Sequence, residues 1–94
     1  MKRAVLLHGT DGSPEYCWFS WLTKLLKDNN IETFVPLLPE NHTPNRSTYD
    51  EFLQNSGWDF KDNLLIGHSS GATTVLNLLQ RDWLPEVDTV ILVG

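Results

Sequence analysis

The chain has 94 residues, 40% of them hydrophobic and 20% charged, and a formal net charge of −5. That length allows one domain at most, and the balance is globular rather than disordered. An acidic chain without a Lys/Arg cluster has little to grip phosphates with, so no nucleic-acid partner is expected.

The pair Lys2-Arg3 precedes only the short apolar run Ala4-Val5-Leu6-Leu7. That run is far too short for a signal-peptide core or a membrane span. Arg3 to Leu7 instead reads as a buried strand, because it runs into His8-Gly9 and the turn-rich stretch from Gly9 to Pro14. From Trp18 to Asp28 the apolar residues Trp18, Trp21, Leu22, Leu25 and Leu26 recur at i, i+3, i+4, i+7 and i+8. This spacing predicts an amphipathic helix that packs by that stripe, ended by Asn29-Asn30. Walling a substrate pocket is the alternative role for Trp18 and Trp21. Ile31 to Leu38 is a second strand, interrupted by Pro36, and residues 39–47 form a loop. Ser47-Thr48-Tyr49-Asp50-Glu51 has the look of a capped helix start, with the helix reaching Gln54 and broken by Gly57-Trp58-Asp59. Asn63 to Ile66 is a third strand that runs straight into Gly67-His68-Ser69-Ser70-Gly71. Ala72 to Leu84 reads as a helix stopped by Pro85, and Thr89 to Val93 as a fourth strand. The order β-α-β-α-β-α-β with short connections predicts a parallel sheet with helices on its faces, a three-layer α/β/α architecture.

The strongest chemical signal is the pattern G-x-S-x-G at Gly67 to Gly71. It directly follows one predicted strand and directly opens a predicted helix, the placement required of a nucleophile elbow in the α/β-hydrolase fold. The serine of such an elbow sits on a strained turn, so its neighbours must be small, as Gly67 and Gly71 are. Ser69 would project its hydroxyl above the sheet, near a helix N-terminus that favours developing negative charge. The backbone N–H of Ser70 could then donate to an oxyanion. The plain alternative is a serine-rich helix cap after a tight turn. His68 is expected to point to one side of the elbow.

His8-Gly9-Thr10, after the first strand, is the second signal. In hydrolases of this architecture the loop after an early strand supplies the other oxyanion N–H. Thr10 is the first choice for that donor, Asp11 the next, and a plain glycine turn the alternative. His8 is expected to support the loop by hydrogen bonding, with Gly9 beside it. His42 is read as a solvated loop histidine. Cys17 is alone, so no internal disulfide forms, which suits a reducing, cytoplasmic compartment. Nothing marks Cys17 as a low-pKa thiol. No spacing suggests a metal site, and neither G-x-x-x-x-G-K-[ST] nor G-x-G-x-x-G occurs, so no metal and no cofactor are expected.

In this fold the triad runs Ser, then Asp or Glu, then His along the chain. No histidine follows Ser69, and the acids Asp82, Glu86 and Asp88 are expected at the opposite edge of the sheet. Residues 1–94 are therefore expected to be a single incomplete α/β-hydrolase domain, with the triad acid and base in a C-terminal half beyond Gly94. The apolar fourth strand would expose an unpaired edge unless a further strand or another chain covers it, a route to self-association.

Several of these stretches together resemble the YdeN-like and retinoblastoma-binding-protein-like small serine hydrolases. The resemblance rests on Leu7-His8-Gly9-Thr10-Asp11-Gly12, Trp18-Phe19-Ser20-Trp21-Leu22, Leu37-Leu38-Pro39, Gly67-His68-Ser69-Ser70-Gly71-Ala72 and Val90-Ile91-Leu92-Val93-Gly94. It implies a compact α/β-hydrolase domain about twice this length, with esterase-type or amidase-type activity and Ser69 as nucleophile. The family's acid and histidine lie beyond the point that matches Gly94. An L-x-C-x-E motif is absent, so the retinoblastoma-binding association does not carry over. The expectation is a serine hydrolase acting on small esters, amides or peptides through an acyl-enzyme. The rival is a catalytically inert fragment that serves as a binding or structural module.

Overall fold

A computed structural model describes residues 2–15 and 18–94; the reading of Cys17 falls outside them. The elements are β1 (Arg3–Leu7), α1 (Phe19–Asp28), β2 (Glu32–Phe34), α2 (Arg46–Gln54), β3 (Leu64–His68), α3 (Ser70–Leu78) and β4 (Thr89–Val93). They alternate as the sequence predicts. All pairings are parallel, and the strands lie in the order β2-β1-β3-β4.

The pleat of β1 explains the three layers. Val5 and Leu7 face one side, where Tyr49 and Leu53 of α2 and Val75 and Leu78 of α3 pack on them. Ala4 and Leu6 face the other, against Phe19 and Leu26 of α1. A strand covered on both faces reads as a continuous apolar run, because alternation marks only half-buried strands. Leu65 and Ile66 of β3 divide between the same two layers.

The element boundaries differ from the sequence reading in ways that packing explains. In α1 the buried face runs through Phe19, Leu22 and Leu26, and Trp18 is the N-cap residue. Trp21 and Leu25 point elsewhere, 67% and 44% exposed. Leu22 and Leu26 of the expected stripe thus pack on the sheet with Trp18 partly buried beside them, while Phe19 takes the place that Trp21 and Leu25 were expected to share. The second strand is only three residues long, as Pro36 and the turn beyond it leave no ladder to extend. The cap of α2 is Asn45, not Ser47: Asn45 is extended (φ −131°, ψ 125°) and its Oδ1 accepts the Thr48 N–H at 3.0 Å.

The third helix ends at Leu78, well before Pro85. Short bonds from Gln80 N–H to Asn77 O and from Arg81 N–H to Leu78 O close its last turn. Trp83 and Leu84 then fold back on the core, Trp83 lying edge-on to Phe60 at 5.8 Å. The same reversal brings Arg81 to Asp50 of α2 at 2.5 Å.

Among the described residues no strand pairs with the outer edge of β4. Ile91 and Leu92 of that strand are 43% and 44% exposed. No helix among the described residues is long and apolar enough to cross a membrane.

Candidate active site

Ser69 stands between the last residue of β3 and the first of α3, with φ 57° and ψ −119°. A side-chain-bearing residue adopts such a conformation only when the surroundings hold it, at a cost of about 1–3 kcal/mol. Here they do. Its N–H donates to Val93 O of β4 at 2.8 Å, and its carbonyl accepts the Ala72 N–H at 2.9 Å. The hydroxyl-bearing residue is exposed at the C-terminal edge of the sheet, where ligands of open α/β folds bind.

The two glycines of the motif have steric reasons. A Cβ on Gly67 would come within 2.5 Å of Gly71 O and 2.7 Å of Ala72 N. A Cβ on Gly71 would overlap Leu7 O and lie 2.7 Å from His8 O. The first turn of α3 is therefore pressed onto both the end of β3 and the end of β1. That contact carries the loop after β1 to the serine: a Cβ on Gly9 would be 3.1 Å from the Ser69 Cβ.

The loop is a tight turn, with Gly12 N–H donating to Gly9 O at 3.0 Å. Asp11 N–H is taken by Asn41 O at 3.1 Å, which removes Asp11 as an alternative donor. No turn, loop or cap hydrogen bond among the described residues engages the N–H of Thr10 or of Ser70. The two residues are joined by their side chains instead, Thr10 Oγ1 donating to Ser70 Oγ at 3.0 Å. Asn41 also donates from Nδ2 to Gly12 O at 3.1 Å, holding the turn from both sides. Sequence reasoning passed over Asn41; a lone polar residue in a loop gives no signal until its partners are known.

The histidines separate clearly. His8 is 2% exposed. Its Nε2 accepts the Leu38 N–H at 2.9 Å, which puts the ring proton on Nδ1, and Nδ1 donates to Gly9 O at 2.8 Å. Both ring nitrogens are occupied, and His8 fastens the loop after β1 to the chain at Leu38. His68 turns toward α1, 5.6 Å from the Trp18 ring and 6.5 Å from Phe19. His42 is exposed in the turn after β2.

The acids after Ser69 lie at the far edge. Asp88 N–H bonds Asn63 O at 2.9 Å and Glu86 O accepts the Asp62 N–H at 2.8 Å, at the start of β3 and β4. Asp82 and Glu86 follow the end of α3 rather than forming its last turn. Asn63 is a second residue the sequence reading undervalued: fully buried, it accepts from Trp58 Nε1 at 2.7 Å and donates to Asp59 O and Lys61 O, each at 2.9 Å.

A concavity of about 620 Å³ lies between α1 and β2 and includes none of the residues around Ser69. A smaller one of about 260 Å³ borders Ser70.

The fold is that of a solved structure, the ydeN gene product from B. subtilis, with a TM-score of 0.84 at 22% sequence identity. The match covers 98% of this chain and 50% of that one, so the chain spans about half the length of the protein it matches. None of the curated proteins matches. Residues 4–94 match the family described as Serine hydrolase, and the chain belongs to that family.

Proposed function

We propose that residues 1–94 hold the nucleophile and both oxyanion donors of a serine hydrolase acting on small esters, amides or peptides. The observation that carries this reading is the backbone of Ser69, held at φ 57° between β3 and α3 with the Gly9-Thr10 turn against it. Ser69 Oγ attacks the substrate carbonyl carbon, and an imidazole supplied from beyond Gly94 accepts its proton. The carbonyl oxygen becomes an oxyanion held by the N–H groups of Ser70 and Thr10, neither of which is engaged by a turn, loop or cap hydrogen bond among the described residues. Collapse expels the alcohol or amine, protonated by the same imidazole, and leaves an acyl-enzyme that water hydrolyses. The third of the three histidines, His42, is a loop residue, and the other two are engaged in packing or hydrogen bonding. This supports a base from outside residues 1–94.

The test is pre-steady-state hydrolysis of an activated p-nitrophenyl ester by the full-length gene product. A nitrophenol burst stoichiometric with protein, absent in Ser69→Ala, is the expected result. An undiminished burst in that variant would show that another residue is acylated.

A further inference from the structure

The turn that carries Thr10 is braced from one short stretch of chain, residues 38–41 after β2. Leu38 N–H donates to His8 Nε2 at 2.9 Å. Asn41 O accepts the Asp11 N–H at 3.1 Å, and Asn41 Nδ2 donates to Gly12 O at 3.1 Å. Asn41 thus grips the turn twice, once from its backbone and once from its side chain.

The brace matters because the turn has a second form open to it. Gly12 N–H closes the turn on Gly9 O at 3.0 Å. Asp11, at the third position, has φ 59°, while Thr10, at the second, is not at positive φ. That combination is a type II turn, which favours glycine or asparagine where Asp11 stands. In a type I turn of the same four residues Asp11 would relax to a φ of about −90°. The two forms differ by a rotation of the Thr10–Asp11 peptide, and the N–H of that peptide is the one Asn41 O accepts. Turning the peptide over breaks this bond, so Asn41 holds the strained form. Its Nδ2 fixes the exit of the turn. The entry is seated on the nucleophile, since a Cβ on Gly9 would lie 3.1 Å from the Ser69 Cβ. Between these two anchors stands the Thr10 N–H, and its direction follows the seating of the turn.

We propose that Asn41 is a positioning residue for the hydrolysis, acting through the Thr10 N–H rather than on the substrate: it holds the Gly9–Gly12 turn in the form that aims this donor beside Ser69. The charge on the carbonyl oxygen develops in the transition state, so a misaimed donor lowers kcat and leaves substrate binding as it was. This inference rests on the reading of Ser69 as nucleophile and Thr10 as oxyanion donor.

The test compares p-nitrophenyl butyrate with its thiono analogue, in which sulfur replaces the carbonyl oxygen, on the full-length gene product. Sulfur accepts N–H bonds weakly, so the thionoester gains little from oxyanion donors. Asn41→Ala removes the bond to Gly12 O and should lower kcat for the ester about tenfold with KM unchanged, less than the roughly hundredfold or more of losing a donor outright. Asn41→Asp, which turns an acceptor toward the Gly12 carbonyl, should lose at least as much. The thionoester rate should be nearly unchanged in both variants, whereas general damage to the fold would lower both rates. Ester rates equal to those of the parent protein in both variants, a loss confined to KM, or ester and thionoester rates that fall together, overturn the positioning role alone. Absence of Ser69-dependent hydrolysis in the parent protein overturns it together with the assignment of Ser69.

Discussion

Replacing Gly71 with alanine places a methyl group in the Leu7 carbonyl oxygen and 2.7 Å from both His8 O and the Leu7 carbonyl carbon. These are backbone atoms at the end of β1, a strand bonded on one side to β2 and on the other to β3. They cannot swing aside as a side-chain end could, so α3 must lift from the sheet. Overpacking of a rigid site costs about 1–3 kcal/mol, and the fixed backbone places this case at the upper end or beyond. Alanine recovers at most about 1 kcal/mol of helix propensity. The net loss is about 2–3 kcal/mol, a large share of a typical domain stability of about 5–15 kcal/mol. Urea unfolding of the full-length gene product, followed by tryptophan fluorescence and circular dichroism, measures it. Gly57→Ala is the control: its φ is 82° and nothing lies within 4 Å, so only backbone strain of about 1 kcal/mol is at stake. Equal midpoints for the two variants would refute the close approach of α3 to β1.

His8→Ala leaves the Leu38 N–H unpartnered in a buried place and takes one of two donors from the Gly9 carbonyl, which keeps the Gly12 N–H, and should cost about 2 kcal/mol in the same unfolding assay. Burial pushes the Tyr49 phenol up from 10.0. The unfolded chain therefore releases that proton first as pH rises, so stability is fully present below pH 10 and is lost as pH rises through the higher folded value. Tyr49→Phe should flatten that alkaline decline in a stability–pH series and, by removing a hydroxyl without a partner among the described residues, leave stability at neutral pH equal or about 1 kcal/mol higher. We also propose that the 94-residue chain by itself associates through the open edge of β4. Ile91→Lys, which charges that edge, should shift light-scattering mass toward the monomer, and an unchanged mass would argue against the edge as the contact.

The layers, the succession of elements and the parallel pairing were largely legible because apolar runs bounded by turns leave few arrangements for a β-α-β chain. The tight strand–helix turn at Ser69 was legible for a related reason: a serine between two glycines at such a junction has a local steric purpose. The edge of the buried face of α1 was not, since Phe19 and Trp21 are equally apolar and only the sheet decides which of them is buried. Nor was the early end of α3, which depends on Trp83 meeting Phe60 and Arg81 meeting Asp50 across distant parts of the chain. The cleft that borders Ser70 was hidden for the same reason: on paper Arg46 and Tyr49 form an ordinary first helical turn, and only the packing of α2 beside α3 brings them to its rim.

The most direct measurement is intact-mass analysis after a fluorophosphonate probe, with the modified peptide sequenced, on the full-length gene product and its Ser69→Ala variant. The account predicts one adduct per chain, located on Ser69 and absent from the variant. An adduct that persists in Ser69→Ala, or that maps to another serine, would contradict it.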